Sequence, residues 1–448
     1  MTSIARRIAP LVAAAFTSSR TRDIRRWLAE RRRRLRGEPH RVRYFHQVDD
    51  PYSYLASQVL HELTDRYDIE IQPHLVGPPS DAAAPERQRL EAFACRDAAD
   101  IAPGYGLAFL AHDAVPDPEV VDLATRILCA TVASGRFVAV AAEVGRALWS
   151  GSRSSLGDLA RLEPAADPAA TRAAVEAGTE LRRRHGHYLG AMFHYGGEWY
   201  WGVDRLHHLE RRLQTLGALR PDRGRGSIIR HPDFSDAPSI DPSARVTLEF
   251  FLSLRSPYTY IAMERVSALA RRYPIDLVLR PVLPMVMRGL PVPSVKRIYI
   301  TLDTKREADD AGVPFGRVCD PVGRPVERAF SLFGWARSQG RAAQFLLSFA
   351  RAAFAEGVDT GENSGLQHVV ERAGLAWIDA QAHLDRDGWQ GELEENRAAL
   401  LAMGLWGVPS FRVAGGNERD DFSTWGQDRL WRIEQEIRRR LAPPSPAR

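Results

Sequence analysis

In the C-terminal half of the chain, a serine stands directly before a proline at the end of an apolar stretch. Residues 250–262 read FFLSLRSPYTYIA, in which Ser256 and Pro257 mark the change from a strand-like to a helix-like pattern. Proline suits the first helical turn because its missing N–H costs nothing there, so Ser256 is expected at a helix N-terminus. Its hydroxyl could donate a hydrogen bond to a thiolate, and the positive helix end would also lower the thiol's pKa. The alternative role of Ser256 is a simple helix N-cap.

Two more short segments near the C-terminus could hold a ligand. Val408 and Pro409 precede an apolar strand at 410–413, and Gln427 and Asp428 precede the final amphipathic helix. A proline before a strand is either a strand-edge residue or part of a cis peptide bond. Asp428 either contacts a ligand or caps the final helix.

A polar stripe lies between these segments. Lys296, Tyr299, Asp303 and Arg306 recur at three- and four-residue spacing, so one helical face is expected to carry them. Such a stripe is usually a solvated surface. If it faced a pocket, it would supply cations and hydrogen-bond donors for a carboxylate substrate.

The three cysteines, Cys95, Cys129 and Cys319, form no Cys-x-x-Cys and no metal-ligand spacing. This excludes a dithiol oxidoreductase and favours a reducing, cytoplasmic setting. No metal site is predicted, because the histidines of the N-terminal half have no convincing ligand frame: His46, His185, His187 and His194.

The same pattern occurs twice along the chain. Residues 44–56 read YFHQVDDPYSYLA, which matches residues 250–262, and YWGVDRL at 200–206 matches TWGQDRL at 424–430. Two matched segments in the same order predict a tandem duplication of one domain.

Each copy has the same expected order of elements. A strand (41–48; 246–254) leads through proline into a helix (52–67; 258–273), and a second strand follows (70–75; 276–282). A long helical middle then precedes a strand, a hairpin and a last helix. This β-α-β opening with a late β-β-α predicts an α/β fold of two thioredoxin-like domains, each with inserted helices. The expected limits are a basic segment at 1–40, domains at 41–219 and 244–442, and a linker at 220–243.

The second copy resembles 2-hydroxychromene-2-carboxylate isomerase and kappa-class glutathione transferase, which belong to the DsbA-like branch of the thioredoxin superfamily. The resemblance is carried by FFLSLRSPY at 250–258, GVPSF at 407–411, WGQDRL at 425–430 and the polar stripe described above. It covers roughly residues 245–441, and more weakly residues 41–213.

The resemblance implies glutathione as cofactor, with roles for five residues. Ser256 takes the place of the redox cysteine and would hydrogen-bond the glutathione sulfur. Val408 and Pro409 resemble the family's cis-proline loop, which pairs with the cysteinyl part of glutathione. Gln427 and Asp428 resemble the loop that holds its γ-glutamyl end.

The first copy departs from this pattern. Asp50 replaces Ser256, and an ionised carboxylate there would repel a thiolate. Ala191 replaces Pro409. An alignment of Arg96 with Arg306 also removes the polar stripe, so this copy is expected to have lost glutathione binding and to act as a scaffold. The second copy departs as well, with Arg255 before the serine and DPVGRP at 320–325 where relatives often carry an asparagine.

Composition limits the possible partners. The 448 residues carry a net charge of +5, and almost all positive charge is arginine without a nucleic-acid motif, so no nucleic-acid partner is predicted. No run is long and apolar enough for a membrane span. The basic start, residues 1–43, is either a helix or a flexible lead-in, with a secretory signal as the weaker alternative. The doubled domain predicts a pseudo-dimer within one chain, which itself is either a monomer or a homodimer.

The leading hypothesis is a glutathione-dependent isomerase acting on a small aromatic or electrophilic substrate. The glutathione thiolate would add to an electron-poor double bond, allow rotation and then leave. The alternatives are a kappa-type glutathione transferase and a non-catalytic thioredoxin-like scaffold. The sequence leaves the substrate open.

Overall fold

The computed structural model describes residues 3–110, 115–230, 232, 234, 236, 240–241, 243–415 and 420–443. The chain divides into two compact units. The N-terminal unit consists of Asp23–Pro232 with Pro293–Tyr299, and the C-terminal unit of Met1–Arg22, Asp233–Val292 and Ile300–Arg448. The unit limits therefore differ from a simple linear division, since each unit includes a short segment from elsewhere in the chain.

The basic start of the chain is helical, which bears out the first of the two expected alternatives. It forms α1 (Ser3–Thr17) and α2 (Ser19–Leu35). Helix α1 belongs to the C-terminal unit, where the Thr17 hydroxyl is 3.4 Å from the Gly316 carbonyl. Most of α2 belongs to the N-terminal unit.

The N-terminal unit combines a four-stranded sheet with helices inserted between its second and third strands. Its strands are β1 (Arg41–His46), β2 (Glu70–Leu75), β3 (Met192–Tyr195) and β4 (Glu198–Trp201). Its helices are α3 (Pro51–Ser57), α4 (Leu60–Arg66), α5 (Arg87–Ile101), α6 (Pro118–Ala133), α7 (Phe137–Trp149), α8 (Arg153–Leu162), α9 (Pro168–Arg184) and α10 (Leu206–Thr215).

The strand order of this sheet is β2-β1-β3-β4, with β1 and β2 parallel and the other pairs antiparallel. Strand β1 is buried along most of its length, as expected for the centre of a sheet covered by helices. The helix expected at 52–67 is broken into α3 and α4, because the amides of Gln58 and Val59 bond three residues back instead of four.

The C-terminal unit repeats this arrangement. Its strands are β5 (Val246–Leu252), β6 (Ile275–Pro281), β7 (Ser410–Val413) and β8 (Phe422–Trp425). Its helices are α11 (Pro257–Arg272), α12 (Ser294–Asp310), α13 (Arg324–Ser338), α14 (Ala342–Arg351), α15 (Asn363–Arg372), α16 (Trp377–Ala380), α17 (Trp389–Ala402) and α18 (Leu430–Leu441). The start of α12, up to Tyr299, belongs to the N-terminal unit. The sheet order is β6-β5-β7-β8, again with one parallel pair.

The two sheets also agree in register. Tyr44 of β1 pairs with Phe193 of β3, and Phe250 of β5 pairs with Phe411 of β7. These four rings are almost fully buried and stack pairwise across their strands, with centroids 4.7 and 5.1 Å apart. The predicted α/β architecture, with helices inserted within each half, is therefore present.

Candidate functional site

Ser256 lies at the N-terminus of α11, directly before Pro257. Its Oγ accepts a hydrogen bond from the Thr259 amide (3.2 Å), which is an N-cap interaction. The same hydroxyl lies 3.4 Å from the Val408 carbonyl oxygen, to which it donates. Ser256 is half-buried, so its hydroxyl caps the helix and stands beside the Val408–Pro409 loop.

The Val408–Pro409 peptide bond is cis. The Gly426 amide donates to the Pro409 carbonyl (2.9 Å) and ties this loop to the turn after β8. A β-carbon at Gly407 would lie 2.0 Å from the Trp425 ring, so glycine is required for the close packing of this tryptophan. The loop is thus held by the backbone hydrogen bond from Gly426 and by the close packing of Gly407 against the Trp425 indole.

Gln427 and Asp428 follow that turn. The Gln427 side chain is buried and accepts from the Arg265 guanidinium (2.7 Å). Its amide nitrogen donates to Glu307 (2.9 Å) and to the Asp428 carboxylate. Both ends of the Gln427 amide therefore have partners, one of which is the half-buried Asp428 carboxylate.

Two residues of the polar stripe join Tyr258, which sequence reasoning had not assigned a role. The Tyr258 hydroxyl donates to the Asp303 carboxylate (2.7 Å), and Arg306 donates to its other oxygen (2.7 Å). Asp303 is buried and charge-paired, and it fixes the ring that stands two residues after Ser256. The x-Pro-Tyr motif contains this tyrosine in both copies and was the available signal.

The other two stripe residues make their described contacts within the N-terminal unit. The Lys296 ammonium donates to the Ala83 carbonyl (2.9 Å), and burial lowers the pKa of this amine to about 8. The Tyr299 ring meets the His187 ring edge-on, with centroids 4.4 Å apart. The single helical face expected for the stripe is therefore divided between two sets of contacts.

Arg255 and Asp320, which mark the two departures from the family pattern, form a salt bridge with each other. The guanidinium makes two hydrogen bonds to the carboxylate, at 2.8 and 2.7 Å. Such a bidentate pair is geometrically specific. The two unusual residues are thus one structural feature beside Ser256.

In the N-terminal unit, Asp50 occupies the position of Ser256. It caps α3 by accepting from the Ser53 amide (3.0 Å) and also accepts from the Ser53 hydroxyl (2.7 Å). Burial raises the pKa of this carboxyl to about 6. The carboxylate expected from the sequence is therefore a weaker acid than usual, and it is fully ionised only above neutral pH.

The alignment of Arg96 with Arg306 is wrong. The Tyr52 hydroxyl donates to Asp97 (2.7 Å), which corresponds to the bond from Tyr258 to Asp303. The N-terminal unit thus retains one element that the sequence comparison counted as lost. Matching Arg96 to Arg306 by residue type alone shifted the alignment of this helix by four positions, about one turn.

The three cysteines are buried, and none of them forms a disulfide. Burial, together with the neighbouring Asp50 and Glu91 carboxylates, raises the pKa of Cys95 to about 11, so this thiol is a poor nucleophile.

Among the described residues, no helix combines the length and apolar character that crossing a bilayer requires.

Residues 247–438 match the family model described as a DSBA-like thioredoxin domain. Over 199 residues the chain is 27% identical to a 2-hydroxychromene-2-carboxylate isomerase from Sphingobium xenophagum, covering 41% of this chain and 94% of that protein. A solved structure of 2-hydroxychromene-2-carboxylate isomerase is 24% identical, with a TM-score of 0.36 over 43% of this chain and 95% of that one. The cytosolic disulfide reductase DsbM from Pseudomonas aeruginosa is 22% identical, with a TM-score of 0.33 over 44% of this chain and 100% of that structure.

Proposed function

We propose that the C-terminal unit binds glutathione at Ser256 and acts as a glutathione-dependent isomerase of small electrophilic substrates. The observation that carries this proposal is the position of the Ser256 hydroxyl, which lies at a helix N-terminus and 3.4 Å from the Val408 carbonyl. Similarity to an isomerase over nearly the whole length of that relative supports the reaction class.

The Ser256 hydroxyl and the N-terminus of α11 would together stabilise a thiolate. A separation of 3.4 Å is long for a hydroxyl hydrogen bond, so turning the Ser256 proton away from Val408 costs little. A hydrogen bond to an anion is stronger than one to a neutral carbonyl, and the end of α11 adds partial positive charge. Both effects favour the ionised form of a thiol placed there.

The surrounding residues would bind and orient the tripeptide. The Val408–Pro409 backbone would pair with its cysteinyl part, and Asp428 would face its α-ammonium group. When bound, glutathione supplies the nucleophilic thiolate that can add reversibly to an electron-poor double bond. Asp303 and Arg306 would hold the Tyr258 ring at the substrate side, whereas Lys296 and Tyr299 would act there only if they leave their present contacts.

Titration with glutathione tests the proposal. Because a ligand that binds only the folded state raises the melting temperature with concentration, we expect a concentration-dependent thermal shift. The Ser256→Ala variant should raise the pKa of the bound thiol, followed by thiolate absorbance, while Ser267→Ala on the same helix should leave it unchanged. The absence of any shift would favour a non-catalytic scaffold. Recovery of free glutathione after turnover indicates an isomerase, and a stable conjugate indicates a kappa-type transferase.

We also propose that the two units arose by tandem duplication, with domains at 41–219 and 244–442 joined by a linker at 220–243. The matching strand order, register and tyrosine–aspartate bonds support this history. On this proposal the N-terminal unit acts as a scaffold that takes the place of a second subunit. Three buried cysteines that form no disulfide fit a reducing, cytoplasmic compartment.

A further inference from the structure

One side of α2 carries a row of exposed apolar side chains. Ile24, Trp27, Leu28 and Leu35 are 50, 56, 54 and 79% exposed. Their spacing of three, one and seven residues places them on the same helical side. Single exposed apolar residues are ordinary on protein surfaces, but several on one side of a helix are typical of an interaction surface.

The charged side of the same helix attaches it to the N-terminal unit. Arg26 makes two hydrogen bonds to Glu198 of β4, at 2.6 and 2.7 Å. Glu30 accepts two hydrogen bonds from Arg33 (2.9 and 2.8 Å), and Arg33 also donates to the Glu38 carbonyl (2.6 Å). Part of the polar side of α2 therefore faces the N-terminal unit while its apolar row faces outward, which is unusual for a surface helix.

The helix, together with Arg36 directly after it, carries more net positive charge than the chain as a whole. Residues 19–36 contain nine arginines and two acidic residues, a net charge of +7, while the chain as a whole carries +5. The remaining residues therefore carry −2. Arg31 lies over the Trp27 ring at 5.2 Å, so the cationic and apolar groups are interleaved on the exposed side.

We propose that α2 binds the surface of an anionic phospholipid bilayer. The apolar row, which we call the Trp27 face, would enter the boundary between headgroups and acyl chains. The exposed arginines beside it, Arg31, Arg32 and Arg36, would contact lipid phosphates. A tryptophan flanked by aliphatic residues and arginine suits this boundary because each side chain has an apolar part and, in Trp and Arg, a polar end. A nucleic acid would pair with the arginines but would gain little from burying Ile24, Leu28 and Leu35.

Co-sedimentation of the full chain with lipid vesicles tests the proposal. With vesicles of phosphatidylcholine and phosphatidylglycerol we expect binding at least about tenfold stronger than with phosphatidylcholine alone, since each basic residue near an anionic surface contributes about 1 kcal/mol. High salt should weaken the binding. The Leu28→Glu variant should bind at least about tenfold more weakly, because it places a charge within the apolar row.

Leu162→Glu is the matched control, because Leu162 is 75% exposed on α8 of the same unit. An equal loss in both variants, or equal binding to neutral and anionic vesicles, would overturn the proposal. The paired variant Arg31→Ala with Arg32→Ala should lose the preference for anionic lipid. Binding of an RNA oligonucleotide that Leu28→Glu leaves unchanged, without vesicle binding, would assign the helix to nucleic acid instead.

Discussion

The two units position the same elements but place different chemistry at the start of the first helix. In the C-terminal unit the capping group is the Ser256 hydroxyl; in the N-terminal unit it is the Asp50 carboxyl. Both units keep a hydrogen bond from the tyrosine two residues after the cap to a buried aspartate, at 2.7 Å in each. The tyrosine–aspartate bond is therefore common to both units, whereas the chemistry of the capping group differs between them.

The loop facing this position differs for a related reason. In the N-terminal unit the Ala191 amide donates to the Ser53 hydroxyl (2.9 Å). Its counterpart Pro409 has no amide hydrogen. Thr259, which corresponds to Ser53, is fully buried, and its hydroxyl has no hydrogen-bond partner among the described residues. The proline thus removes a structural hydrogen bond from the C-terminal unit.

The outer faces of the two sheets differ as well. In the C-terminal unit the buried Glu249 accepts from Arg280 and Arg412, both at 3.0 Å. At the corresponding positions the N-terminal unit has Arg43, His74 and His194, without a buried carboxylate at the centre. Burial is the main cause that lowers the pKa of His194 to about 3 and of His74 to about 4. The C-terminal unit therefore has a carboxylate paired with two arginines on this face, whereas the N-terminal unit has two histidines that burial keeps neutral at pH 7.

Exchanging the capping residues of the two units is expected to have the largest effect, which is on glutathione binding. Ser256→Asp would place a carboxylate beside a bound thiolate, where repulsion at about 4 Å amounts to roughly 4 kcal/mol at an effective dielectric constant of 20. We expect glutathione affinity to fall by about a hundredfold or more, measured by calorimetric titration above pH 7. Asp50→Ser should not create a second site, since the Ala191 amide stays bonded to Ser53. A stoichiometry of two in that variant would contradict this view.

The corresponding hydroxyls of Ser53 and Thr259 allow a second test. Ser53→Ala removes three hydrogen bonds, to Asp50, Ala191 and Gln47. It should cost about 2–3 kcal/mol because buried polar groups lose their partner. Thr259→Val should change stability by less than about 0.5 kcal/mol or increase it slightly, because the hydroxyl is already unpaired. Urea denaturation of both variants measures this difference, and equal losses would show that the two positions are equivalent.

Much of this arrangement was accessible from the sequence. Strands 70–75 and 410–413 were predicted with the bounds observed, and the amphipathic helix expected after Asp428 is present as α18. The apposition of Ser256 and Val408 was expected only through a family resemblance, since the two residues are 152 positions apart. Pattern reasoning could not detect the Arg255–Asp320 salt bridge, because both residues look like isolated departures until the fold joins them.

The polar stripe shows the limit of periodicity. Spacing correctly placed Lys296, Tyr299, Asp303 and Arg306 on one helix, α12. It could not tell which neighbour each side chain meets. Lys296 and Tyr299 belong to the N-terminal unit and make their described contacts within it, while Asp303 and Arg306 join Tyr258 in the C-terminal unit. The spacing of residues along a helix shows which of them share one side, but it does not show what that side contacts.

Lowering the pH should destabilise the N-terminal sheet, which contains the buried histidines, more than the C-terminal sheet. The pKa of His194 is about 3 in the folded protein and about 6.5 when unfolded. As the pH falls below 6.5, the unfolded state takes up a proton that the folded state does not, so folding stability is lost. At pH 5 this loss amounts to about 2 kcal/mol for one such histidine.

His194→Phe should therefore lose about 2 kcal/mol less than the wild type between pH 7.5 and pH 5, measured by urea denaturation at both values. Asp50 acts in the opposite sense, because its raised pKa of about 6 makes the folded state the better proton acceptor. The difference between variant and wild type isolates the histidine, since Asp50 is present in both. If the stability of His194→Phe fell as much as that of the wild type between these two pH values, the buried histidines would not set the acid sensitivity of the N-terminal sheet.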